Sequence, residues 1–318
     1  MPKFAANLSM LFTEKPFLDR FQAAVEAGFT GLEYLFPYDY SPAEIKQRLD
    51  DHGLSQVLHN LPAGDWGAGD RGVGCNPYRV GEFRAGVEKA IEYATALGCK
   101  QVNCLAGIQP KDVSDEQARQ TLVDNLRFAA DKLKAAGILL LAEPINTRDI
   151  PGFFLNGTEQ ALAIFDEVGS DNLKLQYDIY HMQIMEGDLA LTLEKHLAHI
   201  AHVQLADNPG RHEPGTGEIN YPFLFDHLDR LGYDGWIGCE YKPRTTTLRK
   251  PGLVGQRAKP YDKPSRRREQ MSSKIGFIGL GLMGAPMAGH LLDAGYTMIT
   301  YVKRGVLNED WRPGAVRR

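Results

Sequence analysis

Cysteine is scarce in this chain. Four residues in 318, Cys75, Cys99, Cys104 and Cys239, form no CxxC pair, so no paired-thiol motif is present. Cys104 and Cys239 fall inside apolar runs, where a reduced, buried thiol is the plain reading. Long hydrophobic stretches are missing too. No run approaches the ~20 residues of a membrane span. The opening MPKFAANLSMLF has neither a basic n-region nor a long apolar h-region, so no secretory signal is expected. The chain reads as cytoplasmic, with no membrane partner. Positive charge is short in residues 1–247, which carry 22 Lys/Arg against 35 Asp/Glu. An acidic body of this kind argues against nucleic acid as a partner. Residues 248–318 reverse the balance, with 14 Lys/Arg against 5 Asp/Glu, and the run Arg266–Arg267–Arg268 there reads as a solvated segment.

What remains is ample for a large core: 43% of residues are hydrophobic and 24% charged. Over residues 1–247 short apolar runs alternate with amphipathic stretches. The strand candidates are 4–11, 31–36, 55–61, 101–107, 138–144, 173–178, 200–207 and 236–241. Runs this apolar read as strands buried on both faces of a parallel sheet. Three helical stretches, 17–28, 83–98 and 115–137, each end in Gly, the preferred residue just past a helix C-terminus. Eight strands with intervening helices predict an α/β fold, a closed (β/α)8 TIM barrel; an open doubly wound sheet would show fewer strands and a phosphate loop near its start.

Four polar residues sit at the tails of four of these runs: Glu143, Asp178, Gln204 and Glu240. The carboxyl edge of a parallel sheet is where α/β proteins place their chemistry. Three acids and an amide converging there suit Mg²⁺ or Mn²⁺ better than Zn²⁺, with proton transfer at carbon as the chemistry. The other strand ends offer Asn7, Glu33, His59 and Asn103, and His181 lies three residues past Asp178. The stretch 206–221 adds Asp207, Arg211, His212 and Glu213 among glycines. Singly, Glu143, Asp178 and Asn103 could cap neighbouring helices, and His59 and His181 could be core histidines. Their recurrence at successive strand ends points to one shared site.

Several segments carry a resemblance. HNLPAGDWGAGDRG (59–72), AEPIN (142–146), QYDIYHMQ (176–183), PGTGEINY (214–221) and GCEYKP (238–243) resemble the hydroxypyruvate isomerases, in the same order, over residues 1 to about 247. These belong to the xylose-isomerase-like (β/α)8 barrels, with the ketose 3-epimerases and inosose dehydratases. In that superfamily two glutamates, an aspartate and usually a histidine bind a divalent metal, and the glutamates form the acid/base pair. The resemblance therefore implies Glu143 and Glu240 as catalytic residues, and Glu143, Asp178, Gln204 and Glu240 as metal ligands. Gln204 stands where histidine is usual, which leaves the metal's identity open; the metal need not be essential. The implied substrate is a small molecule, hydroxypyruvate, converted to 2-hydroxy-3-oxopropanoate through an enediolate. His181 and Arg211 match positions that contact substrate oxygens. Arg211 and Lys242, then Arg71, are candidates for the substrate carboxylate, and His59 and Asn103 complete the substrate-binding set. A related ketose epimerase or sugar isomerase would be expected to keep histidine in place of Gln204. An endonuclease of the same superfamily would need a histidine-rich zinc site and a basic face. A homo-oligomer is left open.

Past residue 247 the pattern changes. Residues 248–270 are rich in Pro, Gly and basic side chains, and read as linker or disordered chain. Residues 271–318 open with a strand, a glycine turn, a helix and a second strand. Gly279, Gly281 and Gly284 form GxGxxG in the strand–turn–helix context of a dinucleotide fold, and GFIGLGLMGAPMAGHLLDAGY resembles the start of the β-hydroxyacid dehydrogenases. Only one βαβ unit is present where the fold needs two halves, so this is an incomplete Rossmann-like fragment. Val302–Lys303–Arg304 stands where an acidic residue is expected, a pattern suited to NADP. Met271 has the look of an initiator, so 248–270 reads as translation leading into a neighbouring reading frame. NAD(P) binding by the fragment is not expected; an NAD(P)-dependent oxidoreductase fusion is the alternative from another class, and the truncation speaks against it.

Overall fold

The eight apolar runs are strands: β1 (Lys3–Asn7), β2 (Gly31–Glu33), β3 (Ser55–Asn60), β4 (Gln101–Cys104), β5 (Leu139–Ala142), β6 (Leu173–Asp178), β7 (Ile200–Leu205) and β8 (Trp236–Cys239). This computed structural model describes residues 2–246 and two later strands, β9 (Lys274–Ile278) and β10 (Thr297–Tyr301). β1 to β8 pair in sequence order, every pair parallel, and β1 pairs with β8 to close the barrel. The expected (β/α)8 architecture is therefore the observed one.

Helices fill the connections: α1 (Arg20–Glu26), α2 (Pro42–His52), α3 (Val80–Leu97), α4 (Asp115–Ala135), α5 (Thr158–Val168), α6 (Ile179–Met185), α7 (Leu189–His196) and α8 (Tyr221–Leu231). Local signals explain their starts. Ser41 and Glu44 form a capping box on α2 with Pro42 in its first turn, and Ser114 Oγ accepts from Gln117 N at the head of α4. Gly98 ends α3 at φ 70. The strand run 101–107 is cut short at Cys104. Beyond it the chain leaves the barrel for the β3–α3 connection through a Gly72–Ala106 bridge, an approach so close that a Cβ on Gly107 would strike the Gly72 carbonyl.

Alternation along the strands sorts side chains between two environments. Outward-facing Leu32, Val102, Leu140, Leu175, Val203 and Ile237 pack with helical Ile45, Val87, Leu126 and Ile164. Inside the barrel, Ala5, Leu58 and Leu141 belong to a small apolar cluster. Beyond them toward the carboxyl ends the interior turns polar, with Asn7, Glu33, Asn103, Asp178, His202 and Gln204 all buried. Among the described residues, no helix is long and apolar enough to cross a membrane.

The chain divides into two compact units, Met1–Arg257 and Ala258–Arg318. In the second, β9 and β10 pair in parallel, Lys274 opposite Thr297, as a βαβ unit requires. The linker 248–270 and Gly279, Gly281 and Gly284 lie outside the described residues.

Candidate active site

Glu143 and Glu240 each follow directly on a strand, β5 and β8, and both line one pocket at the barrel's carboxyl end. Asp178 is the last residue of β6 and is fully buried. Each carboxylate is held by its neighbours. Asn103 Nδ2 donates to Glu143 Oε2 at 3.1 Å and to Asn60 Oδ1 at 3.1 Å. Asn7 Nδ2 donates to Glu240 Oε1 at 3.3 Å and to Glu33 Oε1 at 3.0 Å. Asp178 Oδ1 accepts from Tyr180 N at 2.8 Å, whereas its Oδ2 has no hydrogen-bond partner.

Burial dominates the electrostatics. It pushes the Glu143 carboxyl well above the usual carboxylate range, with repulsion from Glu240 and Asp178 adding to the effect. It raises Glu240 to about 8, although Arg211 opposes the shift. Asp178 is raised for the same first reason. Crowded, water-poor carboxyls with raised pKa values are poised to exchange protons near neutrality.

The compensating cation is Arg211. Its Nη2 lies 2.6 Å from Glu240 Oε2 and 3.5 Å from Asp178 Oδ2, and its guanidinium stacks on Tyr180 at 5.2 Å. Burial alone would lower its pKa, but Glu240, Asp178 and Glu143 hold it charged. The backbone at Arg211 is left-handed, φ 57, a conformation that costs a non-glycine residue about 1–3 kcal/mol. Asp207 holds the loop in that shape. Its Oδ2 accepts from the amides of Gly215, Thr216 and Gly217, and its Oδ1 from those of Asn208 and Ile219, at 2.8–3.1 Å. Asp207 was legible as a polar loop residue; its anchoring role was not.

His181 reaches the same cluster, its Nε2 3.5 Å from Asp178 Oδ2 and 3.9 Å from Glu143 Oε1. Burial first, then Arg211, pushes its pKa well down, so the ring is neutral. Asn146 assigns its tautomer. Asn146 Oδ1 accepts from Asp149 N at 2.7 Å, which turns Nδ2 toward His181 Nδ1 at 2.6 Å. Nδ1 is thus an acceptor and Nε2 carries the proton. One oxygen or nitrogen each from Glu143, Asp178 and His181 lies within 4.8 Å of the others, but a protonated Nε2 is a hydrogen-bond donor, not a ligand.

Gln204 lines the pocket beside these groups. Its Nε2 donates to Glu33 Oε1 and its Oε1 accepts from Gln176 Nε2, both at 2.7 Å. The remaining lone pair of that carbonyl is available to a cation. Glu33 also meets His202 Nε2 at 2.7 Å through Oε2, and a Cβ on Gly238 would collide with this carboxylate. Asn60, Gln176, Met10 and Trp66 are among the pocket-lining groups not singled out for binding from the sequence. Strand alternation counted from Leu58 would have flagged Asn60.

Three expected substrate contacts are displaced. His59 faces the helices, its ring 6.1 Å from Tyr38; the interior face of β3 belongs to Leu58 and Asn60, which line the pocket. Burial lowers its pKa to about 4, making it a neutral core histidine. Asn103 is fully buried and reaches the site through Glu143 rather than by lining the pocket. Lys242 is exposed and lines a neighbouring outer cavity, because the chain beyond Glu240 has already left the barrel rim. Arg71 lies on the Trp66 ring at 4.3 Å and donates to the carbonyls of Trp66 and Asp70.

Comparison with known proteins agrees with this fold. A family model described as xylose isomerase-like TIM barrel matches residues 21–263. A second, the NAD binding domain of 6-phosphogluconate dehydrogenase, matches residues 274–307. The chain is 58% identical over 247 residues to a hydroxypyruvate isomerase of Escherichia coli, spanning 78% of this chain and 96% of that protein. It is 50% identical over 261 residues to a 2-oxo-tetronate isomerase of Cupriavidus necator, spanning 82% and 99%. Among solved structures, one described as an AP endonuclease, family 2, from Brucella melitensis superposes with a TM-score of 0.76 at 48% identity, covering 78% of this chain and 95% of that one.

Proposed function

The chain belongs to the xylose isomerase-like TIM barrel family, and from that premise we propose that it is an aldose–ketose isomerase interconverting hydroxypyruvate and 2-hydroxy-3-oxopropanoate. One observation carries the reading: two buried carboxyls with raised pKa values, Glu143 and Glu240, line one small pocket together with Arg211. A proton-shifting pair and a cation for a carboxylate substrate are what this reaction needs.

In the proposed reaction Arg211 pairs with the substrate carboxylate, which places C2 and C3 between the two glutamates. One carboxylate takes a proton from C3 as the C2 carbonyl becomes the oxygen of a cis-enediolate. A proton returned at C2, while the C3 hydroxyl gives up its proton and the C2 oxygen gains one, leaves C3 as the aldehyde and completes the shift. Both electrons of the internal redox change stay in the substrate, so no nicotinamide is required. His181 Nε2–H points toward the same space and donates to a substrate oxygen where negative charge grows. Asn103 and Asn7 orient the two glutamates.

The donor set also fits a hard divalent cation, since Asp178 Oδ2 is buried without a hydrogen-bond partner amid carboxylates whose crowding a cation would relieve. Glu143, Asp178, Glu240 and the Gln204 carbonyl would hold Mg²⁺ or Mn²⁺. Such an ion, when bound, would supply charge neutralisation at the substrate oxygens.

Proton NMR of hydroxypyruvate in D₂O with the full chain, without added cofactor, tests this. Loss of the C3 proton signal with appearance of the hydrated aldehyde is the expected result, and a chelator arm measures the metal's share. Absence of exchange with metal supplied would reject hydroxypyruvate as the substrate.

A further inference from the structure

We propose that Met10 sets the chain length accepted by the site, and that the outer cavity behind it receives the hydroxymethyl end of four-carbon 2-oxo acids. This rests on the isomerase reading above. The inner pocket has a cavity volume of about 70 Å³. At roughly 10–15 Å³ per water-sized group, it takes roughly five to seven heavy atoms. Hydroxypyruvate, with three carbons and four oxygens, fills it. A four-carbon acid with a hydroxymethyl group on C3 adds a carbon and an oxygen and overflows.

One neighbouring cavity can take the overflow. A second cavity of about 390 Å³ is lined by Ser9, Met10, Thr13, Glu14, Lys242, Pro243 and Thr245. Met10 alone among the described residues lines both cavities, which places it at their junction. Methionine has three rotatable bonds and a deformable thioether, which lets it yield to a longer ligand at small cost. The outer cavity is also chemically suited to a hydroxyl group. Ser9 Oγ accepts from Leu35 N at 2.9 Å, which leaves its O–H free to donate. Ser9 N in turn donates to Asn7 Oδ1 at 3.0 Å, so this hydroxyl is tied to the residue that orients Glu240. C3 is the atom between the glutamates, and a substituent on it must pass through the pocket wall. The chemistry itself is unchanged: C3 gives up its proton, C2 receives one, the hydroxyl proton passes from the C3 oxygen to the C2 oxygen, and the ketone moves from C2 to C3. Two of the relatives are named for acids of different carbon number, hydroxypyruvate and 2-oxo-tetronate.

The test is the ratio of kcat/KM for 2-oxo-3,4-dihydroxybutanoate to that for hydroxypyruvate, in the wild type and in Met10→Ala, Met10→Leu and Met10→Phe. Opening the junction in Met10→Ala is expected to raise the ratio about 10-fold or more, the scale on which a hydrophobic wall discriminates one added carbon. Met10→Phe is expected to lower it by a similar factor, with Met10→Leu in between. A uniform loss on both substrates, up to full inactivity, would overturn the proposal, because Met10 would then be only a packing residue. Wild type that fails on hydroxypyruvate is a separate outcome, and removes the isomerase reading instead.

Discussion

Replacing Asp207 by Asn removes one charge and one acceptor while keeping the shape of the side chain. The native carboxylate satisfies five backbone amides, three on Oδ2 and two on Oδ1. An amide has a single oxygen, so whichever way Asn is turned, two or three N–H donors face its NH₂ group. Hydrogen bonds to a charged acceptor contribute about 1.5–3 kcal/mol each. Losing two would cost about 3–6 kcal/mol if the loop stayed dry. Most of these bonds are only partly buried, so water replaces some of them and about 2–4 kcal/mol is a better expectation. A domain is stable by about 5–15 kcal/mol, so the barrel survives. The loop does not: it holds Arg211 in a left-handed backbone conformation that is itself unfavourable. If about 2 kcal/mol falls on the ordered loop, the ratio of ordered to disordered loop drops roughly 30-fold. Steady-state kinetics on hydroxypyruvate should then show KM rising by up to that factor, while circular dichroism keeps its native form. Wild-type KM in Asp207→Asn would refute the argument that Asp207 builds the carboxylate site through Arg211.

Three further outcomes follow from the same geometry. Glu143→Gln keeps the shape but removes the proton acceptor, so turnover should fall about 10²–10⁴-fold; exchange into D₂O at an undiminished rate would rule out the two-carboxylate mechanism. Glu240 has its folded pKa raised from 4.5 to about 8, so its contribution to stability is full below pH 4.5 and is lost as pH rises to about 8. His59, lowered from 6.5 to about 4, acts in the opposite sense between those values, so pH 6.5–8 lies outside its range. Metal-free Glu240→Gln should lose less stability than wild type across that window in urea titrations, and parallel curves would contradict the assignment. Asn146→Asp is close to isosteric but accepts a hydrogen bond from His181 Nδ1–H, converting Nε2 into an acceptor. Turnover should fall about 10-fold or more, whereas wild-type turnover would show that the tautomer does not matter.

Much of the barrel was readable because its signals are local and repeated. Runs such as 138–144 and 200–207 are apolar on both faces, which only a sheet covered on both sides demands. The glycines after α3 and α4 marked their ends within a residue or two. Glu143, Asp178 and Glu240 were recognisable because a carboxylate directly after such a run has no packing role, and Asp178 and Glu240 meet Arg211 in space. His59 misled for an equally physical reason. A histidine near a strand end looks functional, but a one-residue change of phase on a strand exchanges interior for exterior, and β3 gives the interior to Leu58 and Asn60. Lys242 misled because distance along the chain past Glu240 says nothing about whether the backbone still follows the rim.

By itself the sequence determined the closed alternation of eight strands and their helices, the edge at which polar groups gather and the residue types available for proton transfer. These depend on hydrophobic periodicity and chain order, which are properties of the string. Tertiary structure decided which of those groups share a pocket, that Asn146 makes His181 a donor, that Asp207 holds Arg211 over Glu240 and that Met10 lies where two cavities meet. Each of these depends on side chains distant in sequence meeting within a few ångströms, and on burial strong enough to move a carboxyl to about 8; neither can be read from any one segment alone.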